Sequence, residues 1–276
     1  MRRRILVVTN QKGGVGKTTT TVNIAAAVAL AGYTVLVIDM DPQGNASTAL
    51  GAVHHEGTPS IYDVLTGDLS IADVVQTCPE VPGLLAAPAT IDLAGAEIEM
   101  VSQVAREYRL SRAVEAYLAR YADEHGRELD FVFLDCPPSL GLLTLNGLVA
   151  AREVLLPIQC EYYALEGLSQ LLRTIDMVRV HLNPTLVVGA ILLTMYDGRT
   201  RLASQVADEV RTHFGEQVLD TVIPRSVRVS EAPSYGQTVV TYDPTSPGAL
   251  AYREAAMQVI AQRTTVSTEL STDITP

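Results

Sequence analysis

The stretch that most constrains the fold is Asn10–Thr21, "NQKGGVGKTTTT", which joins the apolar run Ile5–Thr9 to an alanine- and valine-rich segment, Thr18–Ala31. Glycines between a buried strand and a helix let backbone N–H groups turn toward phosphate oxygens, and the helix N-terminus adds partial positive charge there. Gly13, Gly14 and Gly16 fill that role. Lys17 then reaches the β/γ-phosphates, and the Thr18 hydroxyl is placed to meet Mg²⁺. The loop is a variant of G-x-x-x-x-G-K-[ST] whose first glycine is displaced. A second lysine, Lys12, stands just ahead of the glycines. Lys12 and Lys17 are the only lysines in the chain, and the other eighteen basic residues are arginine.

The rest of the chain repeats the same alternation of apolar strand and helix. Continuous apolar runs predict strands over Val35–Asp39, Phe131–Asp135, Glu153–Ile158 and Val187–Thr194. Helical patterns lie at Val101–Tyr121, Ala164–His181 and Ala203–Phe214, and Gly32 ends the first helix. Such an alternation predicts an α/β fold, a mainly parallel twisted sheet flanked by helices on both faces. Thr58–Pro88 is less regular and reads as short helices and turns laid on the main layer. No internal repeat or linker divides the chain. Residues 1–262 read as one domain and 263–276 as a polar, flexible tail.

Composition narrows the function classes. With 47% hydrophobic and 18% charged residues in 276, the chain is a packed globule. A net charge of −11 confines any nucleic-acid binding to a local patch. Cys78, Cys136 and Cys160 have no CxxC spacing and read as buried thiols in a reducing compartment. The N-terminal apolar run is too short for a secretory signal, and no run is long enough to span a membrane, so a cytoplasmic location is expected.

Acidic residues fall at strand ends, where the carboxyl edge of such a sheet meets its ligand. "VLVIDMDPQGN" puts Asp39 and Asp41 at one such end, two residues apart and so able to face the same side. "FVFLDCPPS" delivers Asp135 to another, the arrangement a metal-holding carboxylate requires.

"KGGVGKTT" resembles the deviant Walker A loop of the ParA/MinD/Soj class of P-loop ATPases. The resemblance implies ATP and Mg²⁺ as cofactors, with Lys12, Gly13, Gly14, Val15, Gly16, Lys17, Thr18 and Thr19 around the nucleotide. It also implies that Lys12 reaches across an ATP-dependent homodimer to the partner's nucleotide. Asp41 is similar to the residue that orients the attacking water, so that Lys12, Lys17 and Asp41 are the catalytic candidates. Thr18 and Asp135 are then the metal residues, with Asp39 a less defined neighbour. Pro42–Asn45 and Cys136–Ser139 resemble the two switch loops. From Thr221, "TVIPRSVRVSEAPSYG" is similar to the Soj/ParA branch, in which Pro224 and Ser226 lie against the base and nearby arginines contact DNA. Arg199, Arg225 and Arg228 are the candidates here. The resemblance spans nearly the whole chain.

Charge agrees with a local basic patch: from Arg173 to Arg228, seven arginines stand against six acids, leaving +1 in a chain of −11. The expected function is a partitioning ATPase that binds double-stranded DNA non-specifically. A ParB-type centromere-binding protein is the expected partner, and the location is nucleoid-associated. The competing readings are a MinD-like ATPase acting on a membrane or protein scaffold, and a metabolic or cluster-carrying P-loop enzyme. A MinD-like chain ends in a basic amphipathic helix, whereas Val266–Pro276 has two acids and no lysine or arginine, so no membrane is expected. Iron–sulfur chemistry would need cysteines at other spacings.

Overall fold

The computed structural model describes residues 3–161 and 164–272, apart from the side chains of 164–167 and 263–272. Its strands are β1 (Arg4–Val8), β2 (Val35–Asp39), β3 (Gln76–Thr77), β4 (Leu84–Ala87), β5 (Phe131–Asp135), β6 (Glu153–Gln159), β7 (Val187–Tyr196) and β8 (Val218–Pro224). They form one sheet in the order β3-β4-β2-β5-β1-β6-β7-β8. Every neighbouring pair is parallel except the antiparallel β3–β4 edge.

β1, β2 and β5 are buried along their whole length, which is why they read as unbroken apolar runs. Successive residues feed opposite faces. Val7, Leu36, Ile38, Val132 and Leu134 pack under the helices Arg109–His125, Leu142–Ala150 and Arg201–Phe214. Leu6, Val8, Val35, Val37, Phe131 and Phe133 pack under Lys17–Leu30 and Pro247–Thr272. Each fully buried Val, Leu, Ile or Phe contributes about 1.5–3 kcal/mol. The two cores cover the two faces of the sheet.

Three expectations are corrected. Thr58–Pro88 contains the edge strand β3 and its neighbour β4 as well as the short helices Ile61–Thr66 and Ile71–Val74. β8 was not anticipated. It is an edge strand broken by the exposed Asp220, so its apolar run is interrupted. The helix expected over Val101–Tyr121 begins only at Arg109, after two short 3₁₀ turns separated by Ala105 in the left-handed region. The last helix, Pro247–Thr272, buries Ala249, Tyr252, Ala255, Ala256 and Val259. The segment expected as a polar tail, and the charge argument built on it, fall on side chains outside the described ones.

Candidate active site

β1 runs directly into the glycine loop and the helix Lys17–Leu30 leaves it, so the loop lies at the carboxyl edge between the tips of β5 and β6. Gly14 (φ +73°) and Gly16 (φ +88°) occupy the left-handed region. A Cβ built on Gly13, Gly14 or Gly16 would meet nothing within 4 Å. These glycines therefore face open space and leave room for an incoming group. The helix begins with no side-chain cap and no acid in its first turn. Its free N–H groups and the positive end of its dipole point into the same space, which makes an anion cradle.

The loop is tied to the strands beside it. Asn10 Nδ2 donates to the Pro157 carbonyl at 2.8 Å, and the Lys12 N–H donates to Asn10 Oδ1 at 3.1 Å. Thr194 Oγ1, near the end of β7, donates to the Val15 carbonyl at 2.8 Å. The two lysines diverge. Lys17 is buried and its Nζ donates to the Lys12 carbonyl at 3.2 Å. Burial lowers its pKa from the ordinary lysine value, and the carboxylates of Asp135 and Asp41 pull it back up. Lys12 turns outward, its Nζ 2.8 Å from Glu161 Oε2.

Two carboxylates end neighbouring strands, Asp39 on β2 and Asp135 on β5. Asp39 accepts from the Ser47 N–H (2.9 Å), the Ser47 hydroxyl (2.7 Å) and the Asp41 N–H (3.1 Å). Asp135 Oδ1 accepts from Thr21 Oγ1 at 2.7 Å, and the Thr18 hydroxyl lies near enough to lower the Asp135 pKa somewhat. Asp135 Oδ2 is buried without a hydrogen-bond partner. Burial raises the Asp39 pKa to about 6, with repulsion from Asp41 adding to it, and the Asp135 pKa to about 7, with repulsion from Asp39 adding to it. A buried carboxylate oxygen without a partner, next to a threonine hydroxyl and an anion cradle, suits a hard divalent cation held jointly by protein and phosphate. The residues present therefore fit Mg²⁺.

Asp41 follows in the turn after β2, buried, its Oδ1 accepting from the Gln43 N–H at 3.0 Å. Thr21 and Ser47 were not picked out from the sequence. Their signal was available only for Thr21, one helical turn beyond Lys17. Ser47 meets Asp39 from eight residues away.

Pro224 and Ser226 lie at the same edge at the end of β8, with β6 and β7 between them and β1. The three candidate arginines also come from this edge, on the segments following β7 and β8. Arg199 is exposed and forks onto Asp197, with Nε and Nη2 each 2.8 Å from a carboxylate oxygen. Those hydrogen bonds hold the Asp197 pKa down at about 2, and Arg225 lies close enough to lower it further. Arg228 pairs with Glu231 at 3.1 Å and Asp243 at 3.5 Å. Two of the three arginines are thus partly neutralised within the chain.

A family model described as an AAA domain matches residues 3–188. The sporulation initiation inhibitor protein Soj of Bacillus subtilis is 50% identical over 258 residues, covering 94% of this chain and 98% of that protein. The chromosome partitioning protein ParA of Caulobacter vibrioides is 50% identical over 260 residues, 94% of each chain. Among solved structures, a Mycobacterium smegmatis protein described as cobyrinic acid a,c-diamide synthase with bound ADP and magnesium superposes with a TM-score of 0.80. It is 39% identical and covers 95% of this chain and 96% of its own. The cell division ATPase MinD of Pyrococcus furiosus gives 0.75 at 25% identity, covering 94% and 99%.

Proposed function

The chain belongs to the ParA/Soj family of chromosome-partitioning ATPases, and we propose that it is a DNA-partitioning switch driven by ATP. In this reading it binds ATP with Mg²⁺ and closes on a second copy of itself around the nucleotides. The dimer holds double-stranded DNA without regard to sequence, on the nucleoid in the cytoplasm. It lets go when a ParB-type centromere-binding protein stimulates hydrolysis. The observation that carries the reading is the open glycine cradle facing the unpartnered Asp135 carboxylate oxygen.

Each residue then has a task. The backbone from Gly13 to Thr19 wraps the phosphates and Lys17 neutralises the β/γ oxygens. Thr18 and Asp135 hold Mg²⁺, which when bound spreads the charge of those oxygens. Asp41, steadied by the Gln43 N–H, orients water for in-line attack. Lys12 leaves its own subunit and meets the partner's nucleotide, so that closure depends on what the partner has bound. Arg199, Arg225 and Arg228 from both subunits neutralise DNA phosphates, and such contacts add in log affinity. A MinD-like role on a membrane draws less support, because the likeness to MinD is 25% in identity against 50% for Soj.

The test is turnover of the purified protein with and without duplex DNA and a ParB-type centromere-binding protein. Slow hydrolysis alone, accelerated when DNA and partner are both present, is expected. Turnover indifferent to both would overturn the proposal.

A further inference from the structure

Lys12 is paired with a carboxylate of its own chain. Its Nζ reaches from the loop after β1 to Glu161, just beyond β6, at 2.8 Å. Both ends of this pair sit on anchored backbone. Gln159 Nε2 donates to Glu161 Oε1, and the Glu161 N–H donates to the Gln159 carbonyl at 2.8 Å. On the other side, Asn10 ties the Lys12 N–H to the Pro157 carbonyl. The pair therefore bridges two fixed points across the mouth of the phosphate cradle.

We propose that Glu161 is a positioning residue for Lys12, restraining it in the unpartnered subunit and setting the threshold for dimerisation. This rests on the reading that Lys12 acts on the partner's nucleotide. One ammonium cannot serve Glu161 and a phosphate of the neighbouring subunit at once. Dimerisation exchanges one anion for another, and the exchange is favourable only when the incoming anion is the stronger. A triphosphate carries one more anionic group than a diphosphate, so it overcomes the restraint more readily. Without nucleotide there is no competing anion, and Lys12 stays with Glu161.

The magnitude is modest. The Lys12 and Glu161 side chains are 39% and 45% exposed, so water and salt screen the pair. An exposed pair of this kind shifts an equilibrium by about two- to fivefold per subunit. Both subunits release one, so the effect on a dimer is roughly the square.

Glu161→Gln removes the charge and keeps the shape. Dimerisation is measured by sedimentation velocity with a non-hydrolysable ATP analogue, with ADP and without nucleotide, for wild type, E161Q, K12A and K12A/E161Q. E161Q should dimerise about 4- to 25-fold more tightly with the analogue, and the double variant should behave as K12A. Unchanged or weaker dimerisation of E161Q, or a double variant that gains as E161Q does, overturns the proposal. A K12A that dimerises like wild type overturns the underlying reading instead. A second readout then judges Glu161 without any dimer. Lys12 is one of only two lysines, so its acetylation rate in the nucleotide-free protein is readily followed by mass spectrometry. E161Q should raise that rate several-fold, and equal rates overturn the positioning role.

Discussion

Asp39 and Asp135 stand opposite each other in register on the parallel pair β2–β5, each the last residue of its strand and each shielded from water. Both pKa values are raised, mainly by burial, to about 6 and about 7. The folded, nucleotide-free protein therefore holds protons that the unfolded chain gives up near the ordinary carboxylate value of 3.8. The favourable contribution is complete below that value and is lost as pH rises through the folded values, across roughly pH 4–7. Asp135→Asn removes the charge, so it should raise the Tm of the nucleotide-free protein at pH 8, with the gain shrinking toward pH 5. The same variant should lose Mg²⁺-dependent nucleotide binding. A thermal scan against pH checks the first outcome, and a fluorescent ATP titration the second.

Gly16→Ala tests the cradle. At φ +88° an alanine costs about 1–2 kcal/mol, equivalent to about 2–8 °C in Tm for a chain of this size. The new Cβ also enters the open space, so ATP binding should fall far more than stability does. Calorimetric titration on the folded variant separates the two effects.

Lys17→Ala should abolish nucleotide binding, because it removes the buried ammonium assigned to the phosphates in the proposed function. Asp41→Ala should keep ATP and accumulate the ATP-bound dimer, with hydrolysis slowed about 10²–10⁴-fold. Single-turnover hydrolysis beside equilibrium binding distinguishes them. Wild-type turnover in Asp41→Ala would assign the water to another group.

Arg199→Glu, Arg225→Glu and Arg228→Glu should weaken duplex binding and leave ATP-dependent dimerisation intact. Arg225 should give the largest loss, since Arg199 and Arg228 already share their charge with Asp197, Glu231 and Asp243. Asp197→Asn should have the opposite effect, tightening DNA binding by freeing Arg199. A salt titration reads both, because each phosphate contact contributes about −0.9 to the log–log slope. DNA affinity unchanged in all four variants would remove this edge from the DNA surface.

Cys78, Cys136 and Cys160 are all buried, and burial pushes the Cys78 thiol up to about 12 and the Cys160 thiol up to about 11. Thiol reagents at pH 8 should label none of them in the folded protein and all three after denaturation. Fast labelling of the native state at any one would contradict its packing.

The central strands and the glycine loop were legible because burial on both faces writes itself as unbroken apolar sequence. β2 and β5 fell where the runs Val35–Asp39 and Phe131–Asp135 put them. β3, β4 and β8 were not legible, for they are short or at an edge, and their strand character comes from a neighbour and not from their own residues. The site divided in the same way. Lys17, Thr18 and Asp135 announced themselves through local wording. The hold of Ser47 on Asp39 spans a turn of the chain, and that of Glu161 on Lys12 joins the segments beyond two neighbouring strands, so neither shows in local wording.

The Thr194–Val15 hydrogen bond has a mechanical side. Val15 is the middle of the phosphate loop, and Thr194 lies on β7 shortly before the chain turns out to Asp197 and Arg199. A shift of the loop would reach that strand end through this bond, and β7 pairs with β8 at Tyr196 and Pro224, next to Arg225. In the proposed function, a single hydroxyl would thus be a strap between the loop assigned to phosphate and the edge assigned to DNA. Thr194→Val, which keeps the bulk of the side chain and cuts the strap, would leave each end competent and slacken the line between them.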